Sequence, residues 1–280
     1  MRPARPARTG GRRVDLHAHT FFSDGQLSPE ELVAHALTRG LVALAITDHD
    51  TVEGVARALV AGGGRIRIVP GIEISSVLEG HDLHVLGYFI DYQSESLRER
   101  LVAFREERRG RALAIMERLR ELGAPVDETA VFAAAGPGVV GRPHVAQALV
   151  RAGHVPSVEA AFQTFLGPRG RAFVPRPTFH SEDAIACIRE AGGASVLAHP
   201  GAQLSVAIVE RLKHAGLDGI EVWHPQHGAA AVRRWRETAR RLRLIESGGS
   251  DFHGTHRGAG LGDLPVPERV VEALLDAARR

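Results

Sequence analysis

The sequence predicts an α/β protein in which strands and helices alternate around a parallel sheet. Three observations carry that expectation. Apolar runs rich in β-branched residues recur through most of the 280 residues, each followed by a longer helical pattern. Seven such runs can be counted, one unit short of the commonest (β/α) barrel. Almost every run also delivers a histidine or carboxylate at or near its end, as expected where C-terminal strand ends converge on one face.

The first strand is expected at 13–17. A helix opens after it at Ser28, with Ser28 as N-cap, Pro29 at N1 and Glu31 at N3, and Gly40 stands in the position of a C-cap. The second strand is read at 42–47, before a helix from about 51 to 59 that stops at Gly62-Gly63-Gly64. Strands three and four are read at 66–72 and 83–89, and a long Arg/Glu-rich helix with a solvated face at roughly 94–122. From 123 to about 179 the rhythm breaks into short helical pieces with repeated prolines, the pattern of an insertion. Alternation then resumes with a helix at 181–191, a strand at 194–198 and a helix at about 204–215. A strand at 219–223, a helix at 229–242, a strand at 244–247 and a terminal helix from Pro267 complete the chain. The expected organisation is a disordered tail at 1–12, a barrel made of 13–97 and 181–280, and a mainly helical insertion at 98–180.

Composition bounds the function classes. With 44% apolar and 24% charged residues, the chain has the profile of a soluble globular protein with a sizeable core. The one cysteine, Cys187, excludes an internal disulfide and a cysteine-built zinc cage, and fits a reducing compartment. No apolar run reaches the roughly 18 residues of a membrane span. Residues 1–13 lack the apolar core of a secretory signal, so a cytoplasmic location is expected. Thirty-five basic against 33 acidic residues are too evenly balanced to argue for a nucleic-acid-binding field. The informative excess is histidine, of which there are 15.

His17 and His19 follow the first strand two residues apart, so both imidazoles can reach one metal ion, and Asp24 sits in a turn with Gly25. His49 follows the second strand between Asp48 and Asp50, which are expected to orient it or to cap the next helix. Glu73 belongs to the third strand, His81 and His84 to the fourth, His199 to the fifth, and Asp251 and His253 to the seventh. Such a set suits manganese, iron or zinc and argues against a soft-metal site. His224 and His227, after the sixth strand, stand open between supporting the site and packing a turn. His35, His154, His180 and His214 fall in helical or connecting segments and read as surface or capping residues. Arg142, in Gly141-Arg142-Pro143-His144, is a candidate phosphate clamp on an expected fixed loop, because a guanidinium meets two phosphate oxygens at once. His144, His256 and Arg257 are candidates of the same kind.

With D-L-H-A-H-T-F-F-S-D-G at 15–25, T-D-H-D at 47–50, G-I-E-I-S at 71–75, D-L-H-V-L-G-Y at 82–88, L-A-H-P at 197–200 and G-S-D-F-H-G at 249–254, the chain resembles the polymerase and histidinol phosphatase (PHP) family over nearly its whole length. The resemblance implies a distorted (β/α)7 barrel with an inserted mainly helical subdomain. It implies two or three divalent metal ions, manganese first, with iron or zinc as alternatives. One ion would be held by His17, His19, Glu73 and Asp251, a second by Asp24, His49 and His253, and a third by Glu73, His84 and His199. Glu73 would bridge the first and third. Within the family the chain resembles the stand-alone phosphoesterases that act on nucleotides. The implied activity removes the 5′-phosphate of substrates such as 3′,5′-bisphosphonucleotides and trims short 5′-phosphorylated RNA, by attack of a metal-bridging hydroxide. The implied partner is thus a nucleotide or short oligoribonucleotide, with no membrane and no obligate protein partner. The alternatives are a histidinol phosphatase or other small phosphomonoester hydrolase and, from another class, a non-catalytic metal-stabilised binding domain. The insertion is expected to form a lid over the metal face.

Overall fold

Among the described residues seven strands form one sheet in sequence order: β1 (Arg13–Asp15), β2 (Leu41–Ile46), β3 (Arg67–Leu78), β4 (His81–Tyr88), β5 (Ala194–Leu197), β6 (Gly219–Trp223) and β7 (Ile245–Gly248). A parallel bridge between Ala18 and Phe252, just beyond β1 and β7, joins the two edges into a barrel. This is the arrangement of a distorted (β/α)7 barrel. The computed structural model describes residues 12–136, 138–175, 179–254 and 259–280. The expected tail, except Arg12, and the candidates His256 and Arg257 lie outside the described residues.

The expectation of an all-parallel sheet fails at one strand. β4 runs antiparallel to both β3 and β5. Strands three and four are longer than their apolar runs imply, and they meet in a two-residue turn at Glu79-Gly80, where both φ values are positive (50° and 80°). That is the geometry of a type I′ hairpin, and two residues are far too few for a parallel crossover. Reversal of β4 places its first half, with His84, beside the second half of β3.

The helices follow the expected order. α1 (Pro29–Thr38) begins with the full capping box, in which Ser28 Oγ accepts the Glu31 N–H while the Glu31 carboxylate accepts the Ser28 N–H. α2 (Glu53–Gly62) starts two residues later than expected and is capped by neither Asp48 nor Asp50. α3 (Glu95–Glu121) is followed by α4 (Glu128–Ala135), α5 (Arg142–Arg151), α6 (Val158–Ala161) and a π-helical turn, Phe162–Leu166. α7 (Ser181–Glu190), α8 (Val206–His214), α9 (Ala229–Leu242) and α10 (Arg269–Ala278) complete the fold. The Gly141-Arg142-Pro143-His144 segment is not a fixed loop. It is the first turn of α5, with Gly141 as N-cap, and Pro143 suits that turn because its missing N–H would have had no helical partner.

Strand residues alternate between two cores. Leu44, Ile46, Ile72, Ile74, Val85, Ile220 and Val222 pack with the surrounding helices, while Val14, Leu16, Ala43, Ala45, Val69, Leu86 and Val196 form an inner cluster with Val270, Val271 and Leu274 of α10. A separate apolar cluster links α3, α4, α5, α6 and the π-helical turn through residues such as Ile115, Leu119, Val131, Leu149 and Leu166. Cys187 is half-buried on α7, and burial pushes its thiol pKa up. Among the described residues no helix is long and apolar enough to cross a membrane.

Candidate metal centre

The two-residue repeat of the strands decides which side chains enter the barrel. Glu73 of β3, His84 of β4 and Glu221 of β6 share the register of the inner cluster, and Glu73 and Glu221 have no exposed surface. Glu73 stands at the hub. Its Oε1 meets His84 Nδ1 at 2.7 Å and His199 Nε2 at 2.9 Å. Its Oε2 meets His49 Nδ1 at 3.0 Å and the Nε2 atoms of His17 and His19, each at 3.3 Å. The five imidazoles form a closed circuit with neighbouring ring centroids 4.6 to 5.7 Å apart, and His253 stacks on His19 at 4.2 Å.

Asp24 and Asp251 flank the circuit. Asp24 Oδ1 lies 3.1 Å from His253 Nε2 and 3.9 Å from His49 Nε2. Asp251 Oδ1 lies 3.3 Å from His17 Nε2 and 3.2 Å from His19 Nε2. All nine residues implied by the resemblance therefore come together. His17, His19, Glu73 and Asp251 make one group in which each residue offers an atom to a common point. Asp24, His49 and His253 make a second, which His19 also joins, and His49, Glu73 and His84 make a third. His199 reaches the cluster through Glu73.

The chain holds these side chains from behind. His17 donates Nδ1–H to Glu221 Oε1 at 3.1 Å, and His253 donates Nδ1–H to the Asp251 carbonyl at 2.8 Å, so each turns Nε2 inward. Asp48 accepts the Thr20 N–H, the Thr20 hydroxyl and the Ser23 hydroxyl, each at 2.7 Å, and so fixes the loop after β1. Asp50 accepts the Ser75 N–H at 2.8 Å and Arg108 Nε–H at 2.6 Å. Asp15 accepts the backbone N–H groups of His17, Ser250 and Gly262, tying the ends of the barrel together. The backbone is strained here: His199 and Asp251 have φ of 24° and 51°, values that side-chain-bearing residues seldom adopt.

The donor set fits divalent metal ions. His17 Nε2, His19 Nε2, His49 Nδ1 and Glu73 Oε2 are buried and lack a hydrogen-bond partner, yet all face the same space. Unpaired buried polar atoms are costly, and convergent ones are the signature of ligands. Burial works against charge in the cluster, but mutual attraction overrides it. The carboxylates Glu221, Glu73 and Asp251 raise the His17 pKa well above its ordinary value, and Asp251 and Glu73 push that of His19 to about 10. In the same way His253 holds Asp24, His49 holds Glu73 and His17 holds Asp251 well below the usual carboxylate range, against the effect of burial. Five protonated imidazoles cannot share one carboxylate, whereas five ligands can surround two or more ions.

Glu221 escapes a reading of strand ends because it lies in mid-strand, in Gly219-Ile220-Glu221-Val222-Trp223. The signal is a lone carboxylate on the inward register of an apolar strand, a signal that exists only once the register is known. The structure separates His224 from His227. His227 donates Nδ1–H to the Val222 carbonyl at 2.9 Å and accepts the Gly201 N–H at Nε2, so it braces the turn. His224 is buried with Nε2 3.4 Å from Asp251 Oδ2.

Beside the circuit lies a cavity of about 130 Å³ lined by Asp24, His49 and His84 and, from the 98–180 segment, by Arg108, Arg111, Arg142 and Phe162. Arg142 bonds the Leu166 carbonyl at 3.3 Å, lies 3.8 Å from Asp82, and stands over the Phe162 ring at 5.7 Å. His144 is buried, which lowers its pKa, and its Nδ1 accepts the Gly141 N–H at 3.0 Å.

Residues 15–125 match the PHP domain. The chain is 38% identical over 248 residues to the 5′-3′ exoribonuclease Rnm of Escherichia coli K12, covering 85% of this chain and 84% of that protein. It is 34% identical over 259 residues to the 3′,5′-nucleoside bisphosphate phosphatase of Chromobacterium violaceum, covering 88% of each. Among solved structures, a Bifidobacterium adolescentis protein assigned as a metal-dependent phosphoesterase matches with a TM-score of 0.89 and 32% identity, over 95% of this chain and 96% of that one. Similarity of this breadth means that the chain belongs to the PHP domain family.

Proposed function

We propose that the protein is a metal-dependent phosphoesterase that removes the 5′-phosphate of nucleotides, 3′,5′-bisphosphonucleotides foremost, and trims short 5′-phosphorylated RNA. One observation carries this reading: buried ring nitrogens and carboxylate oxygens converge beside a cavity that is lined by Asp24, His49 and His84 together with three arginines. The named activities of the relatives, matched over most of their length, support the substrate class.

His17, His19, Glu73 and Asp251 would hold one ion, Asp24, His49 and His253 a second, and Glu73, His84 and His199 a third. The donors are nitrogen and oxygen only, which suits manganese, iron or zinc; manganese comes first on the family resemblance. Bound divalent ions would supply activated water near neutral pH and charge to offset the phosphoryl oxygens. The chain's own residues do the rest. Glu73 presents one oxygen to each side of the circuit, and Glu221 fixes the tautomer of His17. Arg142 is the phosphate-binding side chain of the cavity, with Arg111 on the same lining, while Arg108 there is held by Asp50 and Ser75. The 98–180 segment acts as the lid, supported by its separate apolar cluster and by α3, which carries Arg108 and Arg111 to the cavity. A cytoplasmic setting fits the single cysteine.

The test is a panel of 3′,5′-bisphosphoadenosine, AMP, a 5′-phosphorylated oligoribonucleotide and histidinol phosphate, assayed with manganese. The reading predicts the highest kcat/KM for bisphosphoadenosine, with phosphate released from the 5′ position. A preference for histidinol phosphate, or turnover of none of the four, would overturn it.

A further inference from the structure

The geometry points to His224 as a positioning residue for Asp251, one that stands behind the metal centre and is not a ligand in it. His224 belongs to a buried trio with His17 and Glu221 that has the composition of a metal-binding group. Its hydrogen bonding argues otherwise. Nδ1 of His224 accepts the Gln226 backbone N–H at 3.2 Å, so the ring's proton sits on Nε2. A protonated ring nitrogen has no lone pair for a metal ion, but it is a donor.

That donor faces one acceptor. Nε2 is buried, has no hydrogen-bond partner, and lies 3.4 Å from Asp251 Oδ2. The two oxygens of Asp251 therefore divide their work: Oδ1 faces the Nε2 atoms of His17 and His19, where the first ion would sit, and Oδ2 faces His224. Asp251 needs such a hold. Its backbone has a φ of 51°, so its carboxylate is aimed from a strained conformation, and His224 is the side chain whose ring nitrogen faces Oδ2. His224 is itself fixed from the far side by the turn that His227 braces. The arrangement is a ligand carboxylate oriented by a buried N–H, and loss of such a partner typically weakens metal binding by about 10-fold to 100-fold.

This role rests on the metal-centre reading, and its test reads metal affinity instead of turnover. His224→Gln keeps an N–H near the position of Nε2. His224→Asn keeps an acceptor for the Gln226 N–H but loses the donor to Asp251. Both variants and the unaltered full chain are stripped with chelator, checked for folding by circular dichroism, and titrated with manganese chloride by electron paramagnetic resonance of the free ion. His224→Asn is expected to weaken the tightest manganese site by about 10-fold or more, and His224→Gln to stay within about threefold of the unaltered protein. Wild-type affinity in His224→Asn overturns the role. Equal losses in both variants overturn it in favour of a ligand imidazole. Failure of the unaltered protein to bind manganese, iron(II) and zinc alike overturns the metal-centre reading itself.

Discussion

Glu73 shows what one side chain can organise. Its two oxygens face different sets of imidazoles, two on Oε1 and three on Oε2, as a carboxylate shared between ions would require. The positions of the imidazoles and carboxylates could be read from the sequence because each accompanies an apolar run. Glu221 could not, since its meaning depends on which face of β6 turns inward. Arg142 is proposed as a phosphate clamp on its chemistry; its backbone was expected as a loop and is a helix start. On the structure, Arg142 lines the cavity from the first turn of α5, 3.8 Å from Asp82. Arg142→Ala should lower kcat/KM for bisphosphoadenosine by about 10-fold to 100-fold, the worth of a charge-assisted bond, with little change in melting temperature. Unchanged steady-state constants would remove Arg142 from substrate binding.

At the scale of elements, regular alternation was the visible part and the reversed strand the hidden part. Nothing in the apolar runs of β3 and β4 distinguishes a parallel neighbour from an antiparallel one. The cue lay between them, where a Glu79-Gly80 turn leaves no room for a helix. The ends of strands matter as much as their direction. Gly249 follows β7 so closely packed that a Cβ there would stand 2.3 Å from the His17 backbone nitrogen. Gly249→Ala must therefore push the β7 end away from β1 and displace both His17 and Asp251. We expect a loss of about 3 kcal/mol in stability together with weakened metal binding, measured by thermal melts and by metal content after dialysis. A stable Gly249→Ala variant with full metal content would show that the contact is not tight in solution.

For the whole molecule, the sequence showed seven alternating runs, and the family resemblance turned that count into the expectation of a (β/α)7 barrel. The cavity beside the imidazole circuit was not within reach of the sequence, because Arg108, Arg111 and Phe162 come to line one space only through tertiary packing. The cluster also gives the metal-free protein a pH-dependent stability. The pKa of His19 stands at about 10 in the fold against 6.5 ordinarily, so its contribution is complete below about pH 6.5 and fades as pH rises toward 10. The carboxyls of Asp24, Glu73 and Asp251 are held low, so their contributions are present above the ordinary carboxylate range and fade on acidification. Melting curves of chelator-stripped protein should thus fall between pH 6.5 and 10, and saturating metal should flatten that fall because ligation has already removed the proton. Identical pH profiles with and without metal would contradict this.

The most direct measurement is phosphate release from 3′,5′-bisphosphoadenosine by the same preparation before chelation, after chelation and after manganese is restored. The account predicts turnover that disappears with the metal and returns with it, at about two or three ions per chain. Turnover that survives complete metal removal, or none in the fully loaded protein, would contradict it.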